Sequence, residues 1–323
     1  MVIPLLLITV GFVLLIKGAD YLVNGASSLA KRYNVSDIAI GLTVVAMGTS
    51  APELVVNLIS GSGGHNDVVF GNIIGSNIFN TYLILGISSV IYPLTVQKNA
   101  LWKEVPYSLV ATVVLFILVN DQLIFGAEQN EASVLDGIIL LIMFLGFLYY
   151  VFQNMKRTGD TGGDMDEIEM HSTLKTTLMI IFGLAGLTFG GQMIVDNSII
   201  IAHHFGWSEK LIGLTILAAG TSLPELATTA VAAFHKKSDL AVGNIVGSNI
   251  FNILLVLGAT AVFHAPLSFD IDLNIDLYIV MIGSFMLFLF MFTLQKYKLD
   301  RAEGLLYLIG FGCYITFLYF NRM

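Results

Sequence analysis

The chain has 323 residues, 56% of them hydrophobic and only 12% charged, with a formal net charge of −8. Soluble domains carry about twice that share of charge, so the composition excludes a water-soluble globule. The lack of a basic stripe interleaved with aromatic residues argues against a nucleic-acid partner, and one cysteine, Cys313, excludes a disulfide framework.

The apolar residues gather into ten blocks of about 20, the length that takes a helix across a bilayer. They cover residues 3–23, 38–60, 68–91, 105–124, 133–153, 174–198, 210–233, 240–263, 275–294 and 302–320. The expected fold is an all-α integral membrane protein with ten transmembrane helices. The first block has neither a basic n-region nor a small-residue cleavage site, so it reads as a spanning helix and not as a removable signal. Lys17 and Asp20 near its end are expected to snorkel or pair at the interface.

The second block carries Gly41-Leu-Thr-Val-Val-Ala-Met-Gly-Thr-Ser-Ala-Pro-Glu53-Leu54, and the seventh carries Gly213-Leu-Thr-Ile-Leu-Ala-Ala-Gly-Thr-Ser-Leu-Pro-Glu225-Leu226. The third and eighth carry Gly71-Asn-Ile-Ile-Gly-Ser-Asn-Ile-Phe-Asn80 and Gly243-Asn-Ile-Val-Gly-Ser-Asn-Ile-Phe-Asn252. Both pairs are separated by 172 positions, and Gly18/Gly190, Val23/Val195 and Ser36/Ser208 keep the same offset without a gap. Residues 1–153 and 174–323 therefore form two five-helix repeats, with the longer motifs at 41–86 and 213–258. Because five is odd, the second repeat enters the membrane from the opposite side. Inverted repeats with a site at their interface near the midplane are a recurrent plan of secondary transporters.

Residues 154–173 form the longest linker, with Asp160, Asp164, Asp166, Glu167 and Glu169 among glycines and threonines. It reads as a solvated tether. Basic residues fix the orientation. The loops after helices one, three, five, seven and nine hold twelve Lys and Arg residues, whereas the opposite side has Lys210 and Arg322. The positive-inside rule puts the linker in the cytoplasm and both termini outside.

Charge at membrane depth is costly and marks function. Ala46, Thr49, Ser50, Glu53 and Asn57 recur at three- and four-residue intervals, so they share a helical face. Pro52 lacks an N–H, bends the helix and frees the Gly48 carbonyl, and such backbone is tolerated only beside a cavity or buried in protein. Ala218, Thr221, Ser222, Glu225 and Pro224 repeat the pattern. The partner motifs add Ser76, Asn80, Ser248 and Asn252 as candidate ligands. Asn72, Asn77, Asn244 and Asn249 read as links between helices, and Gly71/Gly75 and Gly243/Gly247 as faces for close helix approach. Asymmetry enters where Asn57 faces Thr229 and Met47 faces Ala219.

All these ligands are oxygen, and no zinc-type motif is present. Hard oxygen donors with two carboxylates suit calcium and also sodium. One Ca2+ or two Na+ would neutralise the pair, and an empty, doubly charged site is costly to carry through an occluded state. This favours obligatory exchange over leak. Protonation of the unloaded carboxylates keeps a proton-coupled cycle open. A cation channel and an intramembrane hydrolase are remote alternatives, the latter because Ser50 has no activating histidine.

The doubled Gly-Thr-Ser-x-Pro-Glu and Gly-Asn-x-x-Gly-Ser-Asn-Ile-Phe-Asn segments resemble the two alpha-repeats of the calcium/cation antiporter superfamily, specifically its prokaryotic sodium/calcium exchanger branch. The resemblance implies a four-site diamond at the midplane of a cell-membrane (in bacteria, inner-membrane) antiporter. Glu53 and Glu225 would be shared Ca2+ and Na+ ligands. Thr49, Ser50, Thr221 and Ser222, with the carbonyls of Ala46 and Ala218, would complete the sodium sites, and Ser76 and Ser248 would contribute. Asn80 matches an amide position, and Asn252 stands where some relatives carry an aspartate tied to potassium, which argues against potassium co-transport. Helices one and six would slide across the core. Transported Na+ and Ca2+ are the expected substrates and the lipid bilayer the expected partner. No cofactor and no enzymatic activity are expected, and a monomer is expected.

Overall fold

A computed structural model describes residues 2–96, 98–154, 171–205 and 218–322. Most of the predicted linker, Lys210 and the stretch Gly213–Leu217 lie outside the described residues. Within them the chain is almost wholly helical, as expected of backbone in hydrocarbon, where every N–H and C=O must be satisfied internally.

Helix α1 spans Val2–Tyr33. After it come α2 (Asp37–Thr49) and α3 (Ala51–Ser62), bent by 45° from each other. Next are α4 (Asn66–Ile91), α5 (Lys98–Val119), the short α6 (Asp121–Phe125) and α7 (Val134–Asn154). The second half comprises α8 (Thr173–His204), α9 (Ala218–Thr221), α10 (Leu223–Phe234), α11 (Ser238–His264), α12 (Asn274–Phe290) and α13 (Arg301–Arg322). Among the described residues eight helices are long and apolar enough to span a membrane, and the bent pair α2/α3 makes a ninth. The predicted segment 210–233 corresponds to α9 and α10, whose preceding residues lie outside those described. The architecture is that of an all-α integral membrane protein.

The inversion is visible where the repeats meet. A Cβ at Gly18 would lie 2.7 Å from the Leu187 amide nitrogen, one at Gly183 2.7 Å from that of Leu22, and one at Gly190 2.7 Å from the Gly11 carbonyl. Thus α1 and α8 run antiparallel with their backbones in contact. Both are 32 residues long, about 48 Å at 1.5 Å per residue, and so exceed the bilayer core. Their cytoplasm-assigned ends are tied together: Ser28 and Thr176 share a hydrogen bond of 3.1 Å, and Arg32 donates to Thr173 at 2.6 Å and to the His171 carbonyl at 2.5 Å. Asp20 pairs with His235, beyond α10, at 2.8 Å. The expectation that Asp20 pairs near the end of a 21-residue helix shifts accordingly: its partner is the other repeat, and the helix runs on past it.

Two short ladders clip the loops. Strand β1 (Leu94–Thr95) pairs antiparallel with β4 (Lys298–Leu299), and β2 (Glu131–Ala132) with β3 (Leu267–Ser268). The first joins the loops after the third and ninth spans, the second those after the fourth and eighth. Odd loops meet odd and even meet even, as alternate crossing of a membrane requires. Exposed Leu5, Leu6, Ile142, Leu145 and Ile309 form part of the outer apolar belt.

At the centre, α11 presents Gly243 and Gly247 to α2. A Cβ there would meet the Ile38 carbonyl and the Ala46 Cβ, each at 2.7 Å. Gly71 and Gly75 have no described atom within 4 Å of such a Cβ. At the same 172-position offset the equivalents of Ile38–Ala46 are residues 210–218, of which only Ala218 is described.

Candidate cation site

The site is built on two matched helix breaks. Ser50 separates α2 from α3 with φ −86° and ψ 6°, and Ser222 separates α9 from α10 with φ −89° and ψ 4°. In each case a proline in the next turn cannot donate to the turn before it, so the chain turns at the serine and restarts as a new helix with the glutamate in its first turn. An acidic group at a helix start is favoured by the unpaired N–H groups there.

Two π-turns supply the second device. Phe79–Ile84 in α4 and Asn252–Leu257 in α11 replace α-helical bonds by wider i→i+5 ones, a distortion frequent at functional sites. They carry Asn80 and Asn252. A third, Gly41–Val45, precedes the first motif.

Glu53, Glu225, Ser50, Ser222, Thr49, Ser76, Ser248, Asn80 and Asn252 are each at most 3% exposed, and Ala46 is fully buried. Thr221 is half-buried, and Ala218 is described by its backbone alone as the first residue of α9. The hydroxyls cross between repeats. Ser50 donates across the repeats to Glu225 Oε1 at 2.9 Å, and Ser248, from the same repeat as Glu225, donates to that oxygen at 3.5 Å. Thr49 also faces Glu225, while Thr221 and Ser222 face Glu53. Ser222 donates to Ser76 at 3.2 Å. The shared-face reading put each glutamate with the hydroxyls of its own helix. The break at the serine instead turns those hydroxyls toward the opposite repeat.

Amides form the frame. Thr49 donates to Asn244 Oδ1 and Thr221 to Asn72 Oδ1, both at 3.3 Å, and Asn244 in turn donates to Thr229 at 3.0 Å. Asn80 Nδ2 donates to Asn249 Oδ1 at 3.0 Å, and Asn252 Nδ2 to Asn77 Oδ1 at 3.1 Å. The link roles read for Asn72, Asn77, Asn244 and Asn249 thus take a specific form, since each contacts a candidate ligand. The motifs contained these residues, but not which ligand each would hold.

Among the candidate ligands in the described residues, four acceptor oxygens are buried without a hydrogen-bond partner: Glu53 Oε2, Glu225 Oε2, Asn80 Oδ1 and Asn252 Oδ1. A buried unsatisfied acceptor costs about 1–3 kcal/mol, more when charged, so four at one interface call for a physical explanation. A hard cation supplies it, because it satisfies carboxylate and amide oxygens together. Among the described residues no three His, Cys, Asp or Glu side chains cluster as they do in a transition-metal site.

The sodium/calcium exchanger protein family matches residues 3–153 and 175–320. The chain belongs to this family. It is 36% identical over 325 residues to the CaxA protein of Alkalimonas amylolytica, covering 99% of both chains. It is 34% identical over 324 residues to the inner membrane protein YrbG of Escherichia coli, covering 97% of this chain and 96% of that one. Among solved structures, the sodium–calcium exchanger NCX_Mj superposes with a TM-score of 0.83 at 30% identity, covering 98% of each chain. Family membership and the apolar helices together make this a multi-pass membrane protein. Within the exchanger family framework the cross-repeat carboxylates, hydroxyls and amides occupy the interface between the inverted halves.

Proposed function

We propose that this exchanger-family member is a secondary antiporter that moves Ca2+ against Na+ by alternating access around Glu53 and Glu225. The observation that carries the reading is the pair of buried carboxylates, each served by hydroxyls of the opposite repeat and each with an oxygen left for a cation. Ca2+ binds between the two glutamates. Na+ ions take the same carboxylates with Thr49, Ser50, Thr221, Ser222, Ser76 and Ser248, the carbonyls of Ala46 and Ala218, and the amide oxygens of Asn80 and Asn252. Ion coordination neutralises the two charges, so the loaded site passes through occlusion at lower cost than the empty one. The neutral amide at position 252 supports independence from potassium. The cycle is electrogenic when more than two Na+ replace one Ca2+. The linker and the β1/β4 side face the cytoplasm, both termini face outward, and the monomer is the working unit.

The test is Ca2+ uptake into proteoliposomes loaded with Na+. Uptake should require the sodium gradient and stop in Glu225→Gln. Full uptake driven by a pH gradient without sodium would make the protein an H+/Ca2+ antiporter instead. Currents far above carrier rates would make it a channel.

A further inference from the structure

The two amides that offer buried oxygens, Asn80 and Asn252, do not choose their own orientation. A side-chain amide is nearly symmetric in shape, and only its hydrogen bonds decide whether oxygen or nitrogen faces a given direction. Here the deciding partner lies on the other repeat in both cases. Asn77 Nδ2 donates to the backbone carbonyl of Asn249 at 3.3 Å. A carbonyl can only accept, so the Asn77 amide is held with its nitrogen toward α11 and its oxygen free to accept. That oxygen takes Asn252 Nδ2 at 3.1 Å, which turns Asn252 Oδ1 to the opposite side, where it is buried and unpartnered.

The mirror arm is similar. Asn249 Nδ2 donates to Thr81 at 2.9 Å, and Asn249 Oδ1 accepts Asn80 Nδ2 at 3.0 Å, leaving Asn80 Oδ1 unpartnered. Its anchor is a hydroxyl, which can donate as well as accept, so this arm is held less firmly than the first. All four asparagines are at most 4% exposed.

We infer that Asn77 and Asn249 are positioning residues of the cation site: each locks the amide ligand of the opposite repeat with its oxygen facing the ion. The inference rests on the cation-site reading of Asn80 and Asn252, but not on which ion drives transport. It gives the four-asparagine set a task beyond gluing helices. A ligand locked from the facing helix presents its oxygen at a distance set by the α4–α11 contact, so cation affinity depends on both repeats at once. Removing Asn77 would let Asn252 rotate and show its N–H to a cation, which repels the ion instead of binding it.

The experiment is a double-mutant cycle on the full chain in lipid nanodiscs, read by equilibrium Ca2+ titration and, separately, Na+ titration. Asn77→Leu keeps the branched shape of the side chain and removes the acceptor. It should raise the Ca2+ half-saturation concentration roughly tenfold, the usual size of an effect on residues that orient metal ligands. The double variant Asn77→Leu/Asn252→Leu should be no weaker than Asn252→Leu alone, within about twofold, because the lock has nothing left to orient. Asn249→Leu with Asn80→Leu should behave likewise, whereas Asn77→Leu with Asn80→Leu should multiply.

Losses that multiply in the Asn77/Asn252 pair would show that Asn77 acts only through general packing and would overturn the inference, as would unchanged Ca2+ affinity in Asn77→Leu. If Asn77→Leu does not fold, Asn77→Ser and the Asn249/Asn80 pair carry the same comparison. A protein that binds Ca2+ with the expected coupling but shows no sodium-driven uptake would refute sodium exchange and leave the lock standing.

Discussion

A serine hydroxyl has one proton to give, and in this site the two symmetry-related serines spend it differently. Ser50 donates directly to Glu225 at 2.9 Å, while Ser222 donates to Ser76 at 3.2 Å although it also faces Glu53. A hydrogen bond to a charged group contributes about 1.5–3 kcal/mol. Its loss in Ser50→Ala should therefore raise the Na+ half-saturation concentration by roughly 10- to 100-fold, at about 1.4 kcal/mol per factor of ten. Ser222→Ala should cost less, because Ser222 divides its contacts between Glu53 and the neutral hydroxyl of Ser76. Sodium titrations of Ca2+ uptake in the two variants give the comparison, and equal shifts would show that the two serines work alike. Glu225→Gln is the severe case. It removes one of the site's two carboxylate charges, so Ca2+ binding should fall by more than about a hundredfold if even 3 kcal/mol of the ion's attraction is lost.

Between residue and helix, packing decides what a substitution does. A Cβ at Gly18 would press on the α8 backbone at 2.7 Å, whereas one at the exposed Gly146 of α7 meets nothing within 4 Å. Gly18→Ala should push α1 from α8 and cut the exchange rate at least several-fold, with Ca2+ binding in detergent retained because Glu53 and Glu225 sit on other helices. Gly146→Ala should match the parent in both assays. Loss of Ca2+ binding in Gly18→Ala would show instead that the helix pair supports the site itself. At this scale the sequence was legible wherever polarity changed abruptly. The doubled motifs gave the glutamates, hydroxyls and amides, and the parity of the repeats gave the inversion. The end of α1 was not legible, since Asp20, Ser28 and Arg32 close its apolar block. They lie inside the helix because His235 and Thr176 of the other repeat, and Thr173 where the linker meets it, satisfy them. The π-turns also left no trace, because an extra residue in a helix buried on all sides changes no hydrophobic period. Nor could the crossing of hydroxyls between glutamates be read, since it depends on the bend at Ser50.

In the proposed cycle two halves of opposite orientation share one site, and the β1/β4 and β2/β3 ladders join loops of the two halves. Such a frame lets the site face either side, and the net charge carried with each reversal decides how the membrane potential enters. If more than two Na+ leave the liposome for each Ca2+ taken up, positive charge flows outward with every cycle. The potential acts on each such charge with about 2.3 kcal/mol per 100 mV, so some 60 mV shifts the balance about tenfold. An interior-positive potential should then accelerate Ca2+ uptake and an interior-negative one slow it. Sodium-loaded proteoliposomes given valinomycin with potassium outside acquire the first polarity, and those with potassium inside the second. Uptake rates that do not differ would mean that charge balances within the cycle, with two sodium ions neutralising Glu53 and Glu225 as one Ca2+ does. A difference of the expected sign would require the site to accept a third sodium, and the neutral hydroxyl and amide oxygens around the two carboxylates are where it would be held.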